Sequence, residues 1–277
     1  LALRDNNTTI QRYNVSNKIE YNAICFIYII KSTNMSDQYE ENHTSSQRYA
    51  VAIAILKNTF QHDKFRPHQY KIIDTILNEK DVIAIMHTGY GKSTCFQLPP
   101  ILSGELAIIV SPLIALMTDQ HQSLNKLGVK SCCYNSTLSL KNKRAMERDL
   151  IDGKYQVLYI TPESLIRSYI LIDQIYANQG ICMVAIDEAH CISSYGFDFR
   201  VSYRELYKIR EYLPNVPILA VTATATDKVI DDIKCVMKMT DCTTIKTSFD
   251  RPNIKINVDM YTHNTDNKMV SIINKIE

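Results

Sequence analysis

The sequence predicts an open, mostly parallel α/β sheet with helices on both faces, and two observations carry that prediction. From Asp81 onward, short apolar runs alternate with longer stretches of helical periodicity, the order in which parallel strands and crossover helices follow one another. One of these runs, 82–86, leads without a break into a glycine-rich turn that opens a helix pattern. With 277 residues and 45% hydrophobic content, the chain can bury one substantial core.

Residues 1–34 precede the first methionine, Met35, and read as an upstream extension, a fragment end or a misassigned leader, with no function given to them. The apolar run 23–30 is about half of the roughly 20 residues that a membrane-spanning helix needs. No small-residue cleavage site follows it, so neither a membrane nor a secretory signal is expected. Segment 36–47 is polar and poor in aliphatics, and is expected to be a disordered lead-in to a helix near 49–58. Residues 1–47 are therefore set apart from a lobe spanning 48–250. Within that lobe, strands are predicted over 82–86, 106–110, 129–134, 156–160, 181–186, 218–221 and 244–247. Helices are predicted near 92–98, 113–127, 139–151, 163–177, 203–212 and 226–239. After 250–253 come one strand-like run, 254–260, and a polar stretch leading into 269–276. In open α/β sheets ligands gather beyond the carboxyl ends of the strands, so the residues after each run are the ones that matter.

Charge and cysteine usage exclude some classes. There are 31 basic and 29 acidic residues, a net charge of +2, so no global field announces a polyanion partner and any nucleic-acid contact must be local. The eight cysteines form no C-x-x-C pair and lie near no histidine at zinc-finger spacing, so no zinc site is expected. Several sit inside apolar runs, such as Cys182, where a reduced thiol acts as a small core hydrophobe. This usage points to a reducing, intracellular compartment.

The turn after the first strand reads His87-Thr88-Gly89-Tyr90-Gly91-Lys92-Ser93-Thr94. Glycines there let backbone N–H groups curl around a phosphate, Lys92 can reach the β and γ oxygens, and Ser93 can ligate Mg²⁺. The spacing departs from the strict phosphate-loop form, because Met86 stands where its first glycine would be. A chance glycine-rich turn is the bland alternative. Downstream, the run 181–186 delivers Asp187-Glu188-Ala189-His190 at its carboxyl end. Asp187 can hold Mg²⁺ through water, and Glu188 can orient and deprotonate a water for in-line attack at a γ-phosphate. An acidic helix start is the alternative for this pair taken alone. Together with Lys92, the pair implies ATP hydrolysis with ATP and Mg²⁺ as cofactors, and His190 completes the catalytic set.

With both sites in hand, residues 52–260 resemble the first RecA-like, P-loop lobe of a superfamily 2 helicase, and specifically of the RecQ family. Phe65-Arg66-Pro67-His68-Gln69 is similar to that family's F-R-P-G-Q element, which implies that Arg66 and Gln69 belong to the nucleotide site and that Gln69 reads the adenine edge. His62 falls where the family has a stacking aromatic, and His68 replaces the glycine. The segments around Ser111-Pro112 and Thr161-Pro162 look like two further family motifs, whose amides and hydroxyls suit phosphates of a single strand. Cys191-Ile192-Ser193-Ser194-Tyr195-Gly196-Phe197-Asp198-Phe199-Arg200 resembles the aromatic-rich loop of RecQ proteins. Tyr195, Phe197, Phe199 and Arg200 would form a stacking platform for unpaired bases, worth roughly 1–3 kcal/mol per base. Tyr195 replaces the family's tryptophan and Phe197 its histidine, which takes a polar group out of the path between nucleic acid and hydrolysis. Thr222 and Thr224, in Ala220-Val221-Thr222-Ala223-Thr224-Ala225, match the motif that links ATP state to strand movement, and would bridge toward the acidic pair. Ser248-Phe249-Asp250-Arg251-Pro252-Asn253-Ile254 looks like the family's S-F-D-R-P-N-I, which makes 251–277 a linker toward a second RecA-like lobe. The resemblance implies a 3′ to 5′ DNA helicase acting on single-stranded and forked DNA. Without the second lobe's arginine, this chain would bind nucleotide and hydrolyse it slowly. An RNA helicase and a non-catalytic remnant are the other readings.

Overall fold

The computed structural model describes residues 40–248. The predicted run 254–260, the stretch 269–276, the S-F-D-R-P-N-I motif beyond Ser248 and the segment 1–39 lie outside the described residues. The chain divides between Thr247 and Ser248 into two compact units, and the first contains the sheet.

The first unit is built on seven parallel strands: β1 (Asp81–Ile85), β2 (Leu106–Val110), β3 (Ser131–Tyr134), β4 (Val157–Ile160), β5 (Ile181–Ile186), β6 (Ile218–Thr222) and β7 (Cys242–Lys246). Their spatial order is β3-β4-β2-β5-β6-β1-β7. Because β5, β6 and β1 are neighbours in parallel register, their carboxyl ends open on one edge, with β1 and β5 about 10 Å apart across β6. Burial explains why these runs form strands: β2 and β5 are buried along their whole length, as interior parallel strands covered on both faces must be. Side chains alternate between two cores. Ile83 and Ile85 join Ile108, Val184 and the helices Leu140–Ile151, Tyr169–Gln179 and Asp227–Val236 on one face. Val82, Ala84 and Met86 join Ile109, Met183 and the helices Gln69–Leu77 and Ile114–Lys126 on the other. The fold is thus the RecA-like sheet that the sequence predicts.

Three expectations differ in detail. The first helix is Glu40–Asn58, so it runs through much of the polar segment expected to lack structure; a helix anchored by packing at Ala52 and Leu56 can propagate through residues of indifferent propensity. The helix expected over 163–177 is two, Pro162–Arg167 and Tyr169–Gln179, parted at Ser168, a residue type that competes for backbone hydrogen bonds. The segment 203–212 is a string of short turns of α and 3₁₀ helix rather than one helix.

Candidate nucleotide and nucleic-acid site

The glycine-rich turn follows β1 at the open edge. Gly89 and Gly91 have φ of +82° and +85°, a region where a side chain is strained. At Gly91 a Cβ would also stand 2.6 Å from Nε2 of Gln69, so a side chain there would push the Gln69 amide out of its place as well as strain the backbone. The turn is latched to the segment before it. Arg66 donates from Nη1 to the Gly89 carbonyl, and the Tyr90 hydroxyl donates to the Pro67 carbonyl at 3.2 Å. Gln69 is buried, accepting from the Arg66 N–H at 2.8 Å and donating to the Gly91 carbonyl at 2.9 Å. Both ends of its amide are therefore engaged by protein. The expected reading of adenine by Gln69 requires these bonds to exchange. Beside them an open cleft of about 670 Å³ is lined by His62, Phe65, Arg66, Gln69, Gly91 and Thr94. Thr88 is exposed, Lys92 and Ser93 are half-buried, and Thr94 is buried.

Asp187 leaves β5 at the same edge. Its N–H donates to the Val110 carbonyl at 2.9 Å, its carbonyl accepts from the Tyr203 hydroxyl at 3.0 Å, and its Oδ1 accepts from the Glu188 N–H at 3.0 Å. Tyr203 is fully buried and was not singled out from sequence, where it reads as one apolar position in a helical stretch. Burial, reinforced by the neighbouring Glu188, pushes the Asp187 carboxyl up to about 6, while the Lys92 ammonium draws it back. Lys92 and the acidic pair thus share one electrostatic site. Glu188 holds φ +50°, a left-handed conformation that is costly for a non-glycine residue and is found at functional turns. The two carboxylates face a single ammonium, so the site has a deficit of positive charge, and the carboxylate oxygens are donors of the kind that Mg²⁺ takes.

His190 is buried, with Nδ1 2.8 Å from Oγ1 of Thr222 and 3.3 Å from Oε2 of Glu188. Burial lowers its pKa against the pull of Glu188, so the ring is neutral at pH 7 and the Glu188 contact is not an ion pair. The Thr222 hydroxyl also reaches the Thr224 carbonyl at 3.1 Å. Two sequence expectations are corrected here. Thr222 bonds His190 rather than the acidic pair, and as a fully buried residue it cannot touch a nucleic-acid strand; Thr224 is exposed. Ser111, expected to meet a phosphate, is likewise buried, and its hydroxyl has no hydrogen-bond partner. Pro112 is half-buried beside it. The Thr161 hydroxyl caps the helix Pro162–Arg167, accepting from the Ser164 N–H at 3.3 Å.

The aromatic loop lies directly on this arrangement. Tyr195, Phe197 and Phe199 are 68%, 81% and 42% exposed, so the bland reading of a buried aromatic cluster does not hold. Phe197 stacks on His190 with ring centres 4.7 Å apart and planes 19° from parallel. The approach requires Gly196, where a Cβ would stand 2.6 Å from the His190 carbonyl oxygen. Arg200 pairs with Asp198 at 2.9 Å and holds that carboxyl below the usual carboxylate range. Among the described residues, His190, Cys191 and Asp198 are the one trio close enough to share a metal ion. The Asp198 carboxylate is already engaged by Arg200 and, at 3.7 Å, by the Cys191 thiol. No described helix is long and apolar enough to cross a membrane.

Comparison with known proteins gives the family. The family model described as DEAD/DEAH box helicase matches residues 66–233. A protein of Acanthamoeba polyphaga mimivirus that carries an ATP-dependent RNA helicase name is 48% identical over 239 residues, 86% of this chain and 43% of that protein. The mouse (Mus musculus) bifunctional 3′-5′ exonuclease/ATP-dependent helicase WRN is 42% identical over 229 residues, 82% of this chain and 16% of that protein. ATP-dependent DNA helicase RecQ of Haemophilus influenzae is 36% identical over 209 residues, 76% of this chain and 34% of that protein. The chain therefore spans less than half the length of these relatives. A solved structure of a hypothetical ATP-dependent RNA helicase from Sulfolobus tokodaii superposes with a TM-score of 0.54 at 20% identity, covering 73% of this chain and 57% of that one, a likeness of fold. The matched segment takes in the phosphate turn, the acidic pair and the strand that joins them, and the chain belongs to the DEAD/DEAH box helicase family.

Proposed function

We propose that this chain is the ATP-binding lobe of a RecQ-type, ATP-dependent DNA helicase. The observation that carries the reading is the Phe197–His190 stack: an exposed aromatic loop rests on the histidine of the acidic motif, so a base stacking on the loop meets the hydrolysis site through one ring contact. Lys92 would bind the β and γ oxygens of ATP. Glu188 would orient and deprotonate the attacking water. Mg²⁺, held by Ser93 and Asp187, would supply charge neutralisation at the phosphates. Arg66 and Gln69 would exchange their bonds with the turn for bonds to the nucleotide. Tyr195, Phe199 and Arg200 would hold unpaired bases and their backbone, and the work of strand separation would need a second RecA-like lobe closing on this one.

The mimivirus relative favours a second reading, an RNA helicase with the same ATP chemistry. Equilibrium titration of labelled single-stranded DNA and RNA of one sequence separates the two. The DNA reading expects tighter DNA binding that weakens when Phe197 is replaced by alanine, and a clear preference for RNA overturns it. A fluorescent ATP analogue should bind in the presence of Mg²⁺ and lose at least about tenfold in affinity in Lys92→Ala. Undiminished binding by that variant would remove the ATP site from where we put it.

A further inference from the structure

We infer that Asp232 is a positioning residue that holds the aromatic loop against His190. The inference deepens the reading of residues 193–200 as a nucleic-acid platform and rests on that reading for its functional consequence. Asp232 lies on the helix Asp227–Val236, which Thr226 caps by accepting from the Val229 N–H. One of its oxygens, Oδ2, accepts three bonds: from the Ser193 hydroxyl at 2.8 Å, from the Ser194 N–H at 3.1 Å and from Nη1 of Arg204 at 3.3 Å. Its side chain is 13% exposed, so these bonds are only partly screened by water. Ser193 is fully buried, and its hydroxyl accepts in turn from the Tyr195 N–H at 3.2 Å. A hydroxyl has one proton, and here it goes to Asp232, which leaves a lone pair for Tyr195. The carboxylate therefore orders both residues that precede Gly196 and Phe197.

The other bonds of the loop close it on itself: Gly196 N–H to the Ser193 carbonyl at 3.0 Å, and Arg200 N–H to the Cys191 carbonyl at 3.0 Å. Asp232 ties the loop outward, to the helix that follows β6. That helix begins just after Thr224, and Thr222, the last residue of β6, bonds His190. Two links thus join the segment after β6 to the segment after β5, one at the histidine and one at the loop. With both in place, Phe197 has a fixed seat on the His190 ring. Alanine at 232 would strand the buried Ser193 hydroxyl and the Ser194 N–H, and would free the loop from its neighbour. Asparagine keeps an acceptor and loses the charge that Arg204 meets.

The chain contains no tryptophan, so Tyr195→Trp in the full chain gives a single indole that can be excited apart from the tyrosines and reports on the loop. In this background, Asp232→Ala is expected to speed the anisotropy decay of the new tryptophan and to weaken binding of an oligo-dT strand by about tenfold. Asp232→Asn should fall between that variant and the parent. Binding of a fluorescent ADP analogue should stay within about twofold, because Asp232 touches no part of the phosphate turn. Unchanged anisotropy and unchanged oligo-dT binding in a variant that still binds the ADP analogue would overturn the inference. Should Asp232→Ala fail to fold, Asp232→Asn and Ser193→Ala make the same test, and a loop as still as the parent's in both overturns it. A parent that binds no nucleic acid counts against the proposed function, while the anisotropy comparison still decides the role of Asp232.

Discussion

Asp187 sits where stability and chemistry pull in opposite directions. Its carboxyl is pushed up to about 6 by burial and by Glu188, so the folded chain holds a proton there that an unfolded chain has released by pH 6. The stabilising contribution of that proton is fully present below about pH 4 and is lost as pH rises through 6. At neutral pH the ionised carboxylate costs the ligand-free fold on the order of 3 kcal/mol. Asp187→Asn should therefore raise the melting temperature of the free protein at pH 7, and should flatten its dependence between pH 4 and 6 relative to the parent. The comparison with the parent matters, because His190, lowered by burial, works in the opposite sense over the upper part of that window. The same variant should lose the Mg²⁺-dependent part of ATP-analogue binding; a variant no more stable than the parent would show that the carboxylate is not under strain. His68 gives a second test. It takes φ +68° at the start of the helix Gln69–Leu77, the position of the glycine in the F-R-P-G-Q element that this segment resembles, and His68→Gly should stabilise the fold by about 1 kcal/mol in chemical denaturation. That departure was visible in the sequence, yet its cost was not, because a backbone angle belongs to the turn rather than to the residue. Gln69 shows the same limit: its place in the motif was legible, while the bonds that occupy its amide depend on Gly91, which lies a strand away.

Strands β2 and β5 were legible residue for residue, because strands buried on both faces have no polar positions to blur their ends, whereas β1 was placed one residue late because it opens on the charged Asp81. The segment 163–177 was not, since an apolar stripe at helical spacing continues across Ser168 whether or not the backbone does. The aromatic loop lies between these cases. Its composition announced a stacking surface, but the register that seats Phe197 on His190 comes from Gly196 and from Asp232, and the latter lies on another element. At Gly196 a methyl group would meet the His190 carbonyl, backbone that cannot swing aside, so Gly196→Ala should lift the loop and reduce single-strand affinity as much as Phe197→Ala does. Phe197→Ala should also uncover the His190 ring. Since burial is the largest cause of its lowered pKa, the value should climb back toward that of a free imidazole, and the His190 ring proton followed by NMR titration would show it. A pKa that stays put would mean that the ring is desolvated from the Thr222 side, and that the stack contributes little.

Across the whole lobe, the two edges of the sheet serve different ends. Strain collects at the carboxyl edge: Glu188 in a left-handed turn, the buried Asp187 carboxyl pushed up to about 6, and the unpartnered hydroxyl of Ser111. The amino edge holds a clamp instead. Arg210 donates to the Asp81 carboxylate at the start of β1 and to the Val216 carbonyl at 3.0 Å, while Asp81 accepts from the Ile218 N–H at 2.8 Å, which ties β1 to β6 at the end far from the site. Both side chains of the pair are 13% exposed. Removing one partner of so covered a pair leaves a charge without compensation, at a cost of about 3 kcal/mol. Arg210→Ala should therefore lower the unfolding midpoint sharply, yet leave the affinity of the folded fraction for an ATP analogue unchanged, the reverse of the outcome expected for Asp187→Asn. Denaturation and ligand titration of the two variants side by side would show whether stability and chemistry are in fact separated along the strands; an Arg210→Ala protein that loses nucleotide affinity in proportion to its stability would show the sheet transmitting disturbance from one edge to the other.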